Sequence, residues 1–213
     1  MASVAVIDYG MGNLRSVAKA LEHVGASPVY VTYDPEVIVH AERVVFPGVG
    51  ALGDCMSELH RLELETAVVE CARSKPFLGI CLGMQALMEV SEENEGTRGL
   101  GVIPGRVIRF RSAATEAGER IKIPHMGWNQ VHQRNRDHPL WADIPQDARF
   151  YFVHSYYVQP ASDEAVAGQT RYGVEFVSAI ARGNVFATQF HPEKSQHAGL
   201  TLLANFLQWE GGA

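Results

Sequence analysis

The chain has 213 residues, a formal net charge of −6 and a hydrophobic fraction of 46%. That fraction suits a globular core and excludes a disordered chain, and the mild acidity argues against a dedicated nucleic-acid binder. Three cysteines with no C-x-x-C pair, no apolar run near the ~18 residues of a membrane span and no basic leader in MASVAVIDYG give a cytoplasmic expectation, with one domain over 1–213, no structural zinc and no membrane contact.

In chain order, residues 4–8 form a short β-branched run, followed by the turn Gly10-Met11-Gly12-Asn13. Leu14, Val17, Ala18, Leu21 and Val24 then recur at helical spacing, and Gly25 is placed to end that helix. Residues 29–33 and 43–46 read as the second and third strands. Asp34-Pro35 closes the former, and the latter runs into Pro47-Gly48-Val49-Gly50. Residues 53–74 carry an amphipathic pattern and read as one long helix. Residues 77–80 are a fourth strand, and 82–90 a helix directly after it. Apolar strands alternating with helices predict an α/β fold with an open, doubly wound, mostly parallel sheet. Beyond residue 90 the strand candidates 107–110, 128–132, 149–158, 165–170, 174–181 and 185–189 have short connections, which predicts an antiparallel extension. Ser195 is placed to cap a last helix reaching residue 209, with Leu202, Leu203, Phe206 and Leu207 inward. Residues 112–119 (SAATEAGE) read as an exposed loop or hairpin tip.

The most informative segment is Gly79-Ile80-Cys81-Leu82-Gly83. A G-x-C-x-G pattern between an apolar strand and a helix is a nucleophile elbow with sulfur in place of a serine oxygen. The sharp turn needs small residues two before and two after the nucleophile. The helix N-terminus that follows favours a thiolate. An isolated free cysteine is usually a buried small hydrophobe, the reading kept for Cys55 and Cys71; strand, glycines and helix in register reverse it at Cys81.

A thiolate needs a base and a group to orient that base. His191-Pro192-Glu193 follows an apolar strand directly. Two residues apart on a turn, Glu193 can accept from one imidazole nitrogen while the other faces Cys81. His23, His40 and His60 occupy surface-like helical positions. The Gly-rich segment after the third strand offers Gly48 or Val49 as one oxyanion donor, and Leu82, next after the nucleophile, the other.

These motifs, Phe46-Pro47-Gly48-Val49-Gly50, residues 79–85 and residues 190–195, resemble those of class I (triad) glutamine amidotransferases. Residues 8–14, 124–129 and 151–157 are similar to the glutaminase subunits of imidazole glycerol phosphate synthase, and the likeness runs from residue 4 to about 209. The resemblance implies a flavodoxin-like fold, catalytic Cys81, His191 and Glu193, and no cofactor or metal. It implies glutamine held by Gln85, Glu93, His154, Ser155 and Tyr156. It further implies a heterodimer with a (β/α)₈-barrel cyclase subunit, met through Asn13, Trp128, Tyr151 and Lys194. That subunit would consume the ammonia, making imidazole glycerol phosphate and aminoimidazole carboxamide ribotide in histidine biosynthesis. The elbow and triad alone also allow another synthase's glutaminase, such as that of pyridoxal phosphate synthase; residues 124–129 favour the histidine pathway. A dinucleotide-binding reading of Gly10-Met11-Gly12 fails at Arg15, whose long side chain stands where the fingerprint needs a small residue.

Overall fold

A computed structural model describes residues 2–111 and 121–212; the 112–119 segment lies outside them. The first half alternates β1 (Val4–Ile7), α1 (Leu14–His23), β2 (Val29–Thr32), α2 (Pro35–His40), β3 (Arg43–Gly48), α3 (Leu52–Arg61), α4 (Glu65–Ser74), β4 (Phe77–Cys81) and α5 (Leu82–Ala86). The second half is mostly strand: β5 (Val90–Ser91), β6 (Thr97–Arg98), β7 (Gly105–Arg109), β8 (His125–Gln130), β9 (His132–Gln133), β10 (Arg149–His154) and β11 (Tyr156–Pro160). It continues through β12 (Val166–Tyr172), β13 (Val174–Arg182) and β14 (Val185–Thr188) to a final helix, α6 (Gln196–Gln208).

The main sheet runs β2-β1-β3-β4-β14-β13-β11-β7-β5-β6, and β8 and β10 pair in a second, two-stranded sheet. Strands β2 through β14 in that order are parallel, and β13 turns antiparallel against β14. Alternate residues of β1 feed two cores. Val4 and Val6 meet α1 and α6 on one face, while Ala5 and Ile7 meet α2, α3 and α4 on the other. Burial on both faces is why β1, β3, β4 and β14 read as continuous apolar runs, whereas the edge strand β2 leaves Tyr30 and Val31 exposed.

Four local expectations change. The predicted 53–74 helix is two helices: Glu63 takes a left-handed φ of 56°, and the Leu64 N–H returns to the Leu59 carbonyl. The turn lets the apolar stripes of α3 (Leu52, Cys55, Leu59) and α4 (Ala67, Val68, Cys71) both reach the sheet. The predicted 82–90 helix stops at Ala86, because residues 100, 101 and 103 donate to the carbonyls of Ala86, Met88 and Leu87. Residues 149–158 are not one strand. The chain breaks at Ser155, so that β10 pairs with β8 while β11 pairs with β7 and β13. Ser195 does not cap α6 through its side chain; its hydroxyl donates to the His191 carbonyl (2.6 Å) and accepts from the Tyr151 N–H (3.0 Å). One helix went unread: Asp34 accepts from the Glu36 N–H (2.9 Å) and starts α2 at Pro35.

Candidate active site

Cys81 sits where β4 ends and α5 begins, with φ 55° and ψ −104°. A non-glycine residue at positive φ is strained, and such strain persists only where the surroundings enforce it. Here a close crossing of backbones does so. A Cβ on Gly83 would lie 1.8 Å from the Phe46 carbonyl oxygen, so α5 starts against β3 only because residue 83 has no side chain. Leu82 is the first residue of α5, so its N–H has no partner within the helix and is available beside the sulfur. Strand register places Gly48 opposite Cys81. A Cβ there would fall 2.0 Å from the Tyr9 hydroxyl, so the strand end lies flat against that buried ring.

His191 follows β14, the other neighbour of β4. Its N–H donates to the Tyr151 carbonyl (2.9 Å), and Ser195 fastens the same turn to β10. His191 Nδ1 donates to Glu193 Oε1 at 2.9 Å, and both side chains are almost wholly buried. Burial pushes the imidazole towards its neutral form, but the adjacent Cys81 and Glu193 outweigh it and hold His191 up at about 10. The site therefore favours an imidazolium next to the sulfur, with Nε2 left without a regular hydrogen bond.

A cleft of about 380 Å³ opens at this point. Val49, Leu82, Gln85, Glu93, His154, Ser155 and Tyr156 line it together with Cys81, so the structure gathers every residue expected to hold glutamine. Gln85 is buried rather than solvated: its Nε2 donates to the Tyr156 carbonyl (3.1 Å) and to Gln189 Oε1 (3.0 Å), leaving its own oxygen as an acceptor. Glu93 lies on a short turn and accepts the Leu52 N–H on Oε2 (2.6 Å), with its second oxygen left over. A larger cleft, about 740 Å³ and lined by α4 and Arg98, contains none of Cys81, His191 and Glu193.

The residues expected at a partner interface separate from this cleft. Trp128, on β8, is 39% exposed, so it is not the core residue that its size suggests. It stands opposite Tyr151 of β10, with ring centroids 6.1 Å apart, and Met126 beside it on the same face is 66% exposed. Asn13 is exposed before α1, and Lys194 is half-buried in the turn after His191. Cys55 and Cys71 are fully buried in the helical layer, as bystanders should be; burial lifts the Cys55 thiol to about 12.

Sequence reasoning missed four residues around the site: Tyr9 under Gly48, Gln189 against the sulfur, and His125 with Asn129 behind His154. His125 and Asn129 lay in the 124–129 motif and Gln189 beside the His191 turn, but no spacing pattern marks a buried amide as a neighbour of a sulfur.

A strained cysteine at a helix N-terminus, an imidazolium held by a buried carboxylate and a narrow polar cleft define the class: a thiol-dependent amidase or acyl-transfer site at the carboxyl ends of parallel strands. The model of the class-I glutamine amidotransferase family matches residues 5–209. Imidazole glycerol phosphate synthase subunit HisH of Methylococcus capsulatus is 63% identical over 212 residues, covering 99% of this chain and 98% of that protein. The subunit HisH 1 of Pseudomonas aeruginosa is 59% identical over 211 residues, covering 99% of each chain. Among solved structures, PurLQS from Thermotoga maritima superposes with a TM-score of 0.72 at 22% identity, over 98% of this chain and 99% of that one, which speaks for the fold. The chain belongs to the class-I glutamine amidotransferases, in the family of the HisH subunits of imidazole glycerol phosphate synthase. The pyridoxal phosphate synthase alternative is not favoured.

Proposed function

We propose that this chain is the glutaminase subunit of an imidazole glycerol phosphate synthase, working as one domain over 1–213. The observation that carries the reading is Cys81, strained at the N-terminus of α5 and paired with an imidazolium that Glu193 holds. Cys81 attacks the side-chain amide carbon of glutamine. The developing oxyanion is met by the Leu82 N–H and by an N–H of Gly48 or Val49. His191 gives its proton to the departing ammonia, leaving a γ-glutamyl thioester. Water, activated by the now neutral His191, then releases glutamate. The free Oε1 of Gln85 and the second oxygen of Glu93 suit the substrate ammonium, and residues 154–156 line the opposite wall.

Ammonia then passes to a cyclase subunit with a (β/α)₈ barrel, which docks on the face that carries Trp128, Tyr151, Asn13 and Lys194. An exposed tryptophan ringed by a tyrosine and a methionine is the composition of an interface anchor. Docking activates the site by turning the backbone of residues 47–50 so that an N–H points at the oxyanion.

The test is glutamate release by the chain alone, by the chain with its cyclase subunit and acceptor nucleotide, and by Cys81→Ala in that complex. The complex is expected to be faster than the chain alone, and Cys81→Ala to lose about 10⁴-fold or more while keeping its melting temperature. Parental turnover in Cys81→Ala would overturn the reading.

A further inference from the structure

Gln189 is fully buried at the end of β14, two residues before His191. A buried amide is costly unless each polar atom finds a partner. Its Nε2 donates to Cys81 Sγ at 3.5 Å, and its Oε1 accepts from Gln85 Nε2 at 3.0 Å. Gln189 does not line the cleft, so its amide has no direct view of the substrate. The sulfur also lies 4.0 Å from the Val153 carbonyl. That carbonyl attracts a protonated sulfur and repels a thiolate. A fixed N–H donor such as the Gln189 amide favours a thiolate instead and holds it in place.

The bonds do not stop at Gln85. Gln85 Nε2 also donates to the Tyr156 carbonyl, which accepts a second bond from His154 Nδ1 at 2.7 Å. His154 Nε2 accepts from His125 Nδ1 at 2.9 Å, and His125 Nε2 accepts from Asn129 Nδ2 at 3.3 Å. Each imidazole uses one donor and one acceptor, which only the neutral ring offers. His125 is clamped between Phe152 and Tyr172, with centroids 4.8 and 4.0 Å away, so it cannot leave the chain of bonds without breaking the stack. Asn129 and His125 face inward from β8, the strand whose other face carries Met126 and Trp128.

We propose that Gln189 is a positioning residue for the Cys81 sulfur, and the last link of a hydrogen-bond relay that starts at Asn129 on β8. The inference rests on Cys81 being the nucleophile of the proposed glutaminase. The relay ties the inner side of a strand with an exposed aromatic face to the reacting atom, passing behind the cleft wall at Gln85, Tyr156 and His154, and its last link, Gln189, lies outside the cleft.

The test uses Gln189→Met, which keeps volume and loses the donor, and Gln189→Glu, which still accepts from Gln85 but presents a carboxylate to the sulfur. The first readout is the pH profile of Cys81 alkylation by iodoacetamide in the chain alone, located by peptide mass. Both variants should move the profile to higher pH, Gln189→Glu further. The second readout is glutamine turnover in the assembled synthase. Gln189→Met should lower kcat about tenfold with KM within about twofold, and His125→Phe, which keeps the stack and cuts the relay further out, about threefold. Alkylation profiles that superimpose on the parental one in both Gln189 variants would overturn the proposal, as would a loss confined to KM. The alkylation readout needs neither glutamine nor a partner. A shifted profile in a chain that never hydrolyses glutamine would therefore leave the relay standing and sink the glutaminase reading instead.

Discussion

The two walls of the cleft carry histidines in opposite states. On the elbow wall, His191 is an imidazolium, because Cys81 and Glu193 overcome the effect of burial. On the far wall, His125 and His154 are neutral: burial pushes them down to about 4 and about 3, and among the described residues no carboxylate opposes it. Burial alone does not decide the charge of an imidazole; the partner does. The walls also differ in origin. The elbow is assembled by two adjacent elements and held by a backbone crossing at Gly83. The far wall exists because β10 and β11 enter different sheets and leave residues 154–156 at the break.

The largest expected effect falls on the elbow wall. Gly83→Ala places a methyl carbon inside the radius of the Phe46 carbonyl, so β3 and α5 must separate. A cost of about 3 kcal/mol follows, lowering the melting temperature on the order of 6–12 °C, with most activity lost. A variant that melts like the parent would show that the crossing is not what strains Cys81.

A smaller effect is expected on the outer face of the far wall. Trp128→Ala should weaken association with the cyclase subunit by about 2 kcal/mol, roughly 30-fold in Kd, while the melting temperature of the chain alone stays near parental. Calorimetric titration reads the first and a thermal scan the second. Unchanged affinity would remove β8 from the interface.

The smallest concerns charge. The unfolded chain takes up protons at its histidines near pH 6.5, whereas folded His125 and His154, and His138 under α6, bind them only at about 4 or below. The unfolded state thus holds more protons between those values, and stability falls as pH drops from 6.5 to 4. The melting temperature at pH 4.5 should lie on the order of 5 °C below that at pH 7, with part of the difference gone in His125→Phe. His191 adds no slope well below pH 6.5, where it is protonated in both states; from about 6.5 upward only the folded chain keeps that proton, so its contribution starts to fall as pH rises. A flat profile would mean that the far-wall histidines are not held neutral.

Much of the fold was legible because local signals coincide with it. The strands of the parallel half, the elbow and the His-Pro-Glu turn each combine a sequence pattern with a short-range constraint. The errors have physical causes. No glycine or proline marks the break at Glu63, where two helices need separate angles against one sheet. No residue type marks Ser155 as the point where a strand changes sheets; the reason lies in β7, β8 and β13, far away in sequence.

By itself the sequence determined the elbow that carries Cys81 and the turn that pairs His191 with Glu193, since glycine spacing, strand-to-helix order and an i, i+2 turn are properties of short segments. The tertiary structure decided what surrounds them. It buried Gln189 against the sulfur and Gln85 against Gln189, turned Trp128 outward, and kept two histidines neutral behind the cleft. Whether a polar side chain is a solvated surface group or a link in a buried relay depends on elements brought together from distant positions, and on the desolvation that follows.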